Sequence, residues 1–418
     1  MEKPTYPRPN AIIYFLIYVL IYPFLKLCFG LRVDKSQFKL PKGPCIVLCN
    51  HTSFMDFALA MLPLYPRRLN AVAAQKFFYY KPLNWFLPLM GCIPKNLFDS
   101  DLRSIMSMMN VVKDGGSLLL FPEGRCSVDG KFMGMHKAAG KLAKRLEVPV
   151  VACYIEGAYE CMPFWRPGLR FGRLKVTLTN LFDGPALKAL PVDDINERIQ
   201  SALTGKNAPP LINKGTFFAN NLAVGLENLL YLCPKCHQEY TLQSTGNVIS
   251  CKNCGKLGLV RNDLSLEPIG NSQIPPTIQK WYHLCIAHEM GRLSKGMPPI
   301  TVGVNLRMHQ KPGEGLEPCG TGILALGETG WDFTGEINGQ PAQIHYPLKT
   351  VAAIPFDPND NFQIYSGGNL YAFTPTTNPQ ACSQYATLGE CAYWKFSPKL
   401  MMTSGDGGGF GATVKEPS

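Results

Sequence analysis

The stretch CIVLCNHTSFMDF, Cys45 to Phe57, ends an apolar run with a histidine, His51, and places an aspartate, Asp56, five residues further on. A short continuous apolar run stopped by Asn50 reads as a strand buried on both faces, the kind found inside parallel sheets. The pair after it has two readings: a base with its orienting acid at a strand end, or a strand running into a capped helix. Similar runs recur as NAVAAQ, GCIP, SLLLF and VPVVACYI, separated by stretches of helical period such as Leu102 to Lys113. That alternation predicts an α/β fold with a mixed, largely parallel sheet. In such sheets chemistry gathers beyond the carboxyl ends of the strands, so the residues just after each run carry the interest.

After CIVLC come Asn50, His51 and Asp56; after GCIP comes Lys95; after SLLLF come Pro122, Glu123, Gly124 and Arg125. A neutral imidazole takes a proton from an alcohol near pH 7, and a carboxylate on its other nitrogen fixes the tautomer and stabilises the imidazolium. No serine or cysteine nucleophile is required for this. Ser53 lacks the glycine-flanked elbow of hydrolases and suits a helix N-cap equally well.

NHTSFMD, followed about seventy positions later by FPEG and then by VPVV, resembles the glycerolipid acyltransferase family, in particular the 1-acylglycerol-3-phosphate acyltransferases. The resemblance covers roughly residues 11–205. It implies that His51 is a general base activating an acceptor hydroxyl against the thioester of an acyl-CoA or acyl carrier protein, with Asp56 orienting it. It also implies that Glu123 and Gly124 help position the acceptor, and that Val148 to Val151 are structural or line the acyl site. Two departures stand out. Where many relatives have an arginine for the acceptor phosphate, this chain has Lys95, and the usual FPEGTRS reads FPEGRCS, so that Arg125 is a candidate replacement for a shifted arginine. Lysine offers a point charge where arginine offers a planar fork, and a solvated surface charge is the other reading of Lys95.

Composition agrees with an enzyme at a lipid surface. The 418 residues are 46% hydrophobic and 17% charged, enough for two or three domains with real cores. Residues 1–215 hold 28 lysines and arginines against 15 acidic residues, and the remainder 13 against 15, so the net charge of +11 lies in the first half. A basic half meets an anionic partner: nucleic acid, phosphate-bearing metabolite or anionic lipid. AIIYFLIYVLIYPFLK, Ala11 to Lys26, favours lipid. It is short for a span and interrupted by Pro23, while Tyr14, Tyr18 and Tyr22 line one helix face, as interfacial tyrosines do. A signal peptide and a buried core helix are the rival readings. The aromatic block Phe77 to Gly91 reads either as a second interfacial segment or as core.

Fifteen cysteines cannot all pair, and most sit inside apolar runs, as in a reducing compartment. Cys233, Cys236, Cys251 and Cys254 differ: two CxxC knuckles separated by fourteen residues predict a zinc ribbon holding one structural zinc, with a redox CxxC pair as the alternative. Beyond it, PPTIQKWYHLCIAHEMGRL reads as a helix. Thr301 to Thr374 reads as antiparallel strands joined at NG and GG turns, and Pro379 to Trp394 as a closing helix, an order like that of a PH-like barrel.

The expected organisation is a membrane-associated helical segment over 1–40, an acyltransferase domain over 41–215, a zinc ribbon over 228–262, a helix with a β-rich, PH-like region over 275–400, and a disordered tail over 401–418. The expected activity is acylation of a lysophospholipid, 1-acylglycerol-3-phosphate to phosphatidic acid, at the cytoplasmic face of a membrane. Membrane lipids, the acyl donor and the acceptor are the partners, and nucleic acid is not, because the ribbon half is slightly acidic. Another lysophospholipid acceptor, a transacylase, or a non-catalytic lipid-binding scaffold are the alternatives.

Overall fold

The computed structural model describes residues 6–97, 101–135, 137–166, 168–205, 217–295, 300–309 and 314–396; the tail expected over 401–418 lies outside them. The chain forms two compact units, the first from described residues up to 163 and from 170 to 205, the second from 164–169 and from 217 to 396.

The first unit contains, in order, α1 (Ala11–Cys28), β1 (Arg32–Gln37), β2 (Ile46–Cys49), α2 (Asp56–Met61), β3 (Leu69–Ala74), α3 (Leu83–Leu89) and β4 (Ile93–Lys95). It continues with α4 (Leu102–Lys113), β5 (Ser117–Leu120), α5 (Ala138–Leu146), β6 (Val150–Glu156), α6 (Ala158–Cys161), β7 (Lys175–Phe182) and α7 (Val192–Leu203). The sheet order is β1-β7-β6-β2-β5-β3-β4. All neighbours are parallel except β6 and β7, so the largely parallel mixed sheet expected from the apolar runs is present, with those runs as β2 to β6.

The apolar residues of the central strands drive this layering. Ile46, Leu48, Leu118, Val150 and Ala152 are buried with Met108 and Val111 of α4, Ala143 of α5 and Ile195 and Ile199 of α7. Each of the larger of these side chains, the leucines, isoleucines, valines and methionine, contributes roughly 1.5–3 kcal/mol by leaving water. α4 starts where the Asp101 side chain accepts the Ser104 N–H at 3.0 Å, one of the donors a helix start leaves without a partner.

β2 ends two residues before His51, and Asn50, between them, prolongs its ladder by side chain. Asn50 Oδ1 accepts the Ile155 N–H at 2.7 Å and its Nδ2 donates to the Ile155 carbonyl at 2.9 Å, so the amide replaces a peptide group opposite β6. The main chain is thereby free to turn away into the site.

α1 corrects one expectation. The Asn10 side chain caps it through the N–H groups of Ile12 and Ile13. Its tyrosine stripe faces the protein: Tyr14 is buried, and the Tyr18 ring stacks on Tyr65 at 4.2 Å between centroids. The opposite face is the open one, with Ile12, Leu16, Leu20 and Leu27 exposed. Aromatic area packs best where a partner ring is available, and Tyr65, held just beyond α2, supplies it. α3 continues past Pro88 and leaves Trp85 and Leu89 exposed.

The second unit begins with β8 (Leu242–Thr245), β9 (Val248–Cys251), β10 (Gly255–Val260) and β11 (Leu266–Pro268) in an antiparallel sheet of order β11-β10-β9-β8. α8 (Ile278–Ser294) follows, then β12 (Ile300–Met308), β13 (Glu317–Leu326), β14 (Gly330–Ile337), β15 (Gln340–Pro347), β16 (Phe356–Asp357), β17 (Asn361–Ser366), β18 (Asn369–Pro375) and α9 (Cys382–Phe396). These seven strands pair in the order β15-β14-β13-β12-β18-β17-β16, all antiparallel. The expected hairpin turns are real: Asn338 and Gly339, and Gly367 and Gly368, all have positive φ, as two-residue turns between twisted strands require. Trp331, Phe333, Phe362 and Phe373 fill the inside, and Tyr385 of α9 stacks on Phe362 at 5.5 Å.

Asn50→Ala should leave the buried Ile155 N–H and carbonyl without partners and cost about 2–4 kcal/mol. Denaturant melts of the purified variant measure this, and an unchanged midpoint would show that the ladder does not need the amide.

Candidate active site

His51 leaves β2 and Glu123 follows β5, its parallel neighbour, so two loops meet at the carboxyl ends of adjacent strands. Asp56, the first residue of α2, is fully buried, and its Oδ2 gathers three donors. It accepts the backbone N–H groups of Thr52 at 2.5 Å and Ser53 at 2.8 Å, and lies 3.0 Å from His51 Nδ1. That contact assigns the proton of the neutral ring to Nδ1 and turns Nε2 into the acceptor. The imidazole is wedged against Phe121 at 4.2 Å and Phe57 at 5.8 Å between centroids and is 9% exposed.

Glu123 is buried and committed to the main chain. Oε1 accepts the His51 N–H at 2.7 Å and Oε2 the Met133 N–H at 2.8 Å. Burial pushes its carboxyl up to about 8, against the pull of those two hydrogen bonds. The return bond runs from the Ser127 N–H to the His51 carbonyl at 2.7 Å. Gly124, at φ +76°, makes the sharp bend between them, in the left-handed region where a side chain is strained.

The structure thus brings His51, Asp56, Glu123 and Gly124 together. Arg125 stands in the same loop, partly buried. Lys95 ends β4 at the sheet edge, with β5 and β3 between it and β2, about 14 Å away at ordinary strand spacing.

One residue of this site was not singled out in the sequence. Cys126 Sγ lies 3.3 Å from His51 Nε2 and 3.6 Å from Nδ1. Its signal was the departure FPEGRCS itself, read there for its arginine alone. Burial pulls the His51 imidazole down, but the charge at Cys126 and the hydrogen bond to Asp56 outweigh it and push the group up to about 10.

In the second unit the sulfur atoms of Cys233, Cys236, Cys251 and Cys254 all lie within 4.8 Å of one another, and those of Cys236 and Cys251 are 3.8 Å apart. A tetrahedral ion with Zn–S bonds near 2.3 Å needs sulfurs about 3.8 Å apart, so the four thiols fit zinc and leave no open coordination position. Zinc bound here would fold the ribbon rather than supply chemistry. A second group, Glu239, His288 and Glu289, is satisfied by Arg292, which stands 3.0 Å from Glu239 and 3.3 Å from Glu289.

Comparison with known proteins agrees with both halves. Residues 31–156 match the acyltransferase family model, and residues 226–256 match a zinc-ribbon model described as the 7 kDa subunit of DNA-directed RNA polymerase. A chloroplastic 1-acyl-sn-glycerol-3-phosphate acyltransferase of Brassica napus is 31% identical over 164 residues, 38% of this chain and 45% of that protein. Its counterpart in Arabidopsis thaliana is 29% identical over 163 residues, 38% of this chain and 44% of the relative. The chain thus spans less than half the length of these two relatives. Among solved structures, the acyltransferase PlsC of Thermotoga maritima aligns with a TM-score of 0.40 and 19% identity, over 48% of this chain and 81% of that one. The first unit carries an acyltransferase-family domain, and the second a zinc-ribbon segment.

The ribbon shares its packing with α8: Trp281, buried, donates its indole N–H to the Leu232 carbonyl at 2.9 Å, one residue before the first knuckle. Metal analysis of protein purified without chelator should find one zinc per chain, and Cys251→Ser should lose it and red-shift tryptophan emission, a shift that Trp281→Phe diminishes. Full-length protein free of zinc and with unchanged emission would refute the site.

Proposed function

We propose that the first unit transfers a fatty acyl group from acyl-CoA or acyl carrier protein to a hydroxyl of 1-acylglycerol-3-phosphate, giving phosphatidic acid. The observation that carries this reading is the buried Asp56–His51 pair at the mouth between β2 and β5. Asp56 holds Nδ1–H and presents Nε2. In its neutral form His51 takes the acceptor's proton as its oxygen attacks the thioester carbonyl, and Asp56, which favours the protonated ring, stabilises the imidazolium formed. Glu123 fixes the backbone of His51 and so places the ring, while Gly124 shapes the loop. Arg125, and Lys95 at the sheet edge, are the cations assigned to the acceptor phosphate. The relatives named for this reaction support the choice of acceptor.

The same reading sets the unit on a bilayer, at its cytoplasmic face. α1 is long and apolar enough to cross a membrane by length and composition, yet Tyr14 and Leu25, three turns apart, are both buried against the protein. A helix docked at both ends presents its other face, as a monotopic helix does. Exposed Trp85 and Leu89 of α3 extend that face, since the Leu89 carbonyl accepts the Asn10 N–H at 2.9 Å.

Assay of the full chain with acyl-CoA or acyl carrier protein and a panel of lysophospholipids, products read by mass spectrometry, tests the reaction. His51→Ala should lower kcat by about 10²–10⁴ with little change in acceptor KM, and Asp56→Asn should do so less severely. Near-normal turnover of a folded His51→Ala protein would sink the mechanism.

Leu20→Lys with Leu27→Lys, both on the open face at 68% and 84% exposed, should weaken co-sedimentation with anionic vesicles about tenfold or more while leaving the melting temperature unchanged. Undiminished vesicle binding would place the membrane contact elsewhere.

A further inference from the structure

We propose that residues 169–173, in the loop between α6 and β7, form a further lipid contact that seats the far end of α1 on an anionic bilayer and lays the helix flat along its surface. This rests on the membrane reading above and deepens it, because that reading places α1 and α3 alone on lipid.

The segment is turned inside out. Arg170 is fully buried, while Leu169 before it and Phe171 after it are 41% and 45% exposed. Leucine and phenylalanine are among the residues most often buried and arginine among those least often, so a loop facing water would carry the reverse arrangement. Arg170 acts as an internal anchor: its backbone N–H bonds the Cys161 carbonyl at 2.8 Å, and its guanidinium donates to the Glu160 carbonyl at 3.3 Å. Four residues on, the Leu174 N–H bonds the Phe29 carbonyl at 3.1 Å. The backbone held between these ties points the two apolar side chains outward.

A single exposed apolar residue is ordinary, whereas a continuous patch marks a contact surface. The Phe171 ring lies 5.4 Å from that of Phe29, the residue after α1, and Phe29 meets exposed Phe24 edge-on at 5.8 Å between centroids. Phe24 shares a helix face with Leu20 and Leu27, so the open face of α1 runs on through Phe29 to the loop. At the other end of α1 it runs on to Trp85 and Leu89. Contact beyond both ends keeps the helix axis along the surface, whereas a helix crossing the bilayer would carry one end away from it. Lys26, Arg32 and Arg173, all exposed, bring positive charge to the loop's end of the patch, where the Arg32 N–H bonds the Leu174 carbonyl at 2.9 Å. Apolar side chains bounded by cations suit acyl chains beneath anionic headgroups. A second copy of this chain would set like charges against one another. The Met162 carbonyl, where the connection begins, accepts the Ser53 hydroxyl at 2.9 Å, which joins the loop to the chain two residues past His51. Seating the loop on lipid thereby fixes how far the mouth between β2 and β5 stands from the surface.

The test uses the full chain and vesicles of equal parts phosphatidylcholine and phosphatidylglycerol. Leu169→Glu with Phe171→Glu should weaken co-sedimentation about tenfold or more at an unchanged melting temperature. Lys26→Ala with Arg173→Ala should weaken it about as much on these vesicles and leave binding to phosphatidylcholine alone unaltered. Phe171→Trp should bind as the wild type does and gain tryptophan quenching by vesicles with brominated acyl chains, beyond the quenching of the wild type. That variant keeps an aromatic ring on Phe29 and decides the matter if the glutamate pair lowers the melting temperature. Undiminished binding of the folded glutamate variant, or an added tryptophan that the brominated chains do not quench, overturns the loop contact; the reading of α1 stands if Leu20→Lys with Leu27→Lys still releases the protein and falls with it if that pair does not. A glutamate pair that splits a dimer in sedimentation velocity without weakening vesicle binding assigns the patch to a second copy and overturns the proposal.

Discussion

A single buried carboxylate joins the parts of the candidate site. Glu123 receives the His51 N–H on one oxygen and the Met133 N–H on the other, and so ties the loop after β2 to both ends of the segment that follows β5. Such a group is costly to bury, as the upward displacement of its carboxyl to about 8 records, and two backbone donors are what offset that cost. Without it, the His51 backbone and the turn at Gly124 would have separate positions. The orientation of the imidazole relative to Cys126 and Asp56 follows from this clamp more than from any contact of the ring itself, since Phe121 and Phe57 restrain its faces but not its depth.

The strands that build the site were legible because they are buried on both sides. IVLC of β2 and SLLL of β5 carry their apolar character without interruption, and the residues at their ends could be picked out from position alone. β1 left no such trace. RVDKSQ is largely exposed and, among the described residues, pairs only with β7, so nothing in its sequence had to be apolar. β7 runs against β6, and its half-buried alternation is weaker than the continuous runs beside it. His51 and Asp56 were legible as a spaced pair, whereas Cys126 was not, because its proximity to His51 depends on a bend at Gly124 and on hydrogen bonds between residues some seventy positions apart. The stripe of Tyr14, Tyr18 and Tyr22 was seen and assigned to the wrong side: a helix apolar all round does not reveal which face is docked, and Tyr65 decides it.

In the second unit, zinc and hydrophobic packing support each other. The strands around the four cysteines are short, and a module of this size has little core of its own. What it lacks is supplied by the helices: Tyr231 donates to the Cys285 carbonyl of α8 at 3.3 Å, and Ser383 of α9 donates to the Leu229 carbonyl at 2.8 Å. The ribbon is thus bonded to the two helices that precede and follow the seven strands in the chain, and the whole falls in one compact unit. Loss of the metal in such an arrangement would be felt beyond the knuckles, at Trp281 and along α8.

Charge and apolar surface in the first half of the chain reinforce one another as signals for a bilayer. A single apolar helix lying on lipid binds marginally, because part of its surface is spent on the protein, here through Tyr14 and Leu25. A second signal of a different kind turns marginal binding into stable attachment, and the excess of lysine and arginine over acidic residues in residues 1–215 is of that kind. Apolar contact fixes depth and is insensitive to salt, while the basic excess acts over about a Debye length and weakens as salt rises. Under the proposed reading, a surface that uses both would find anionic membranes first by charge and hold them by α1, and the mouth between β2 and β5 would then work where a phosphate-bearing, lipid-tailed acceptor is concentrated.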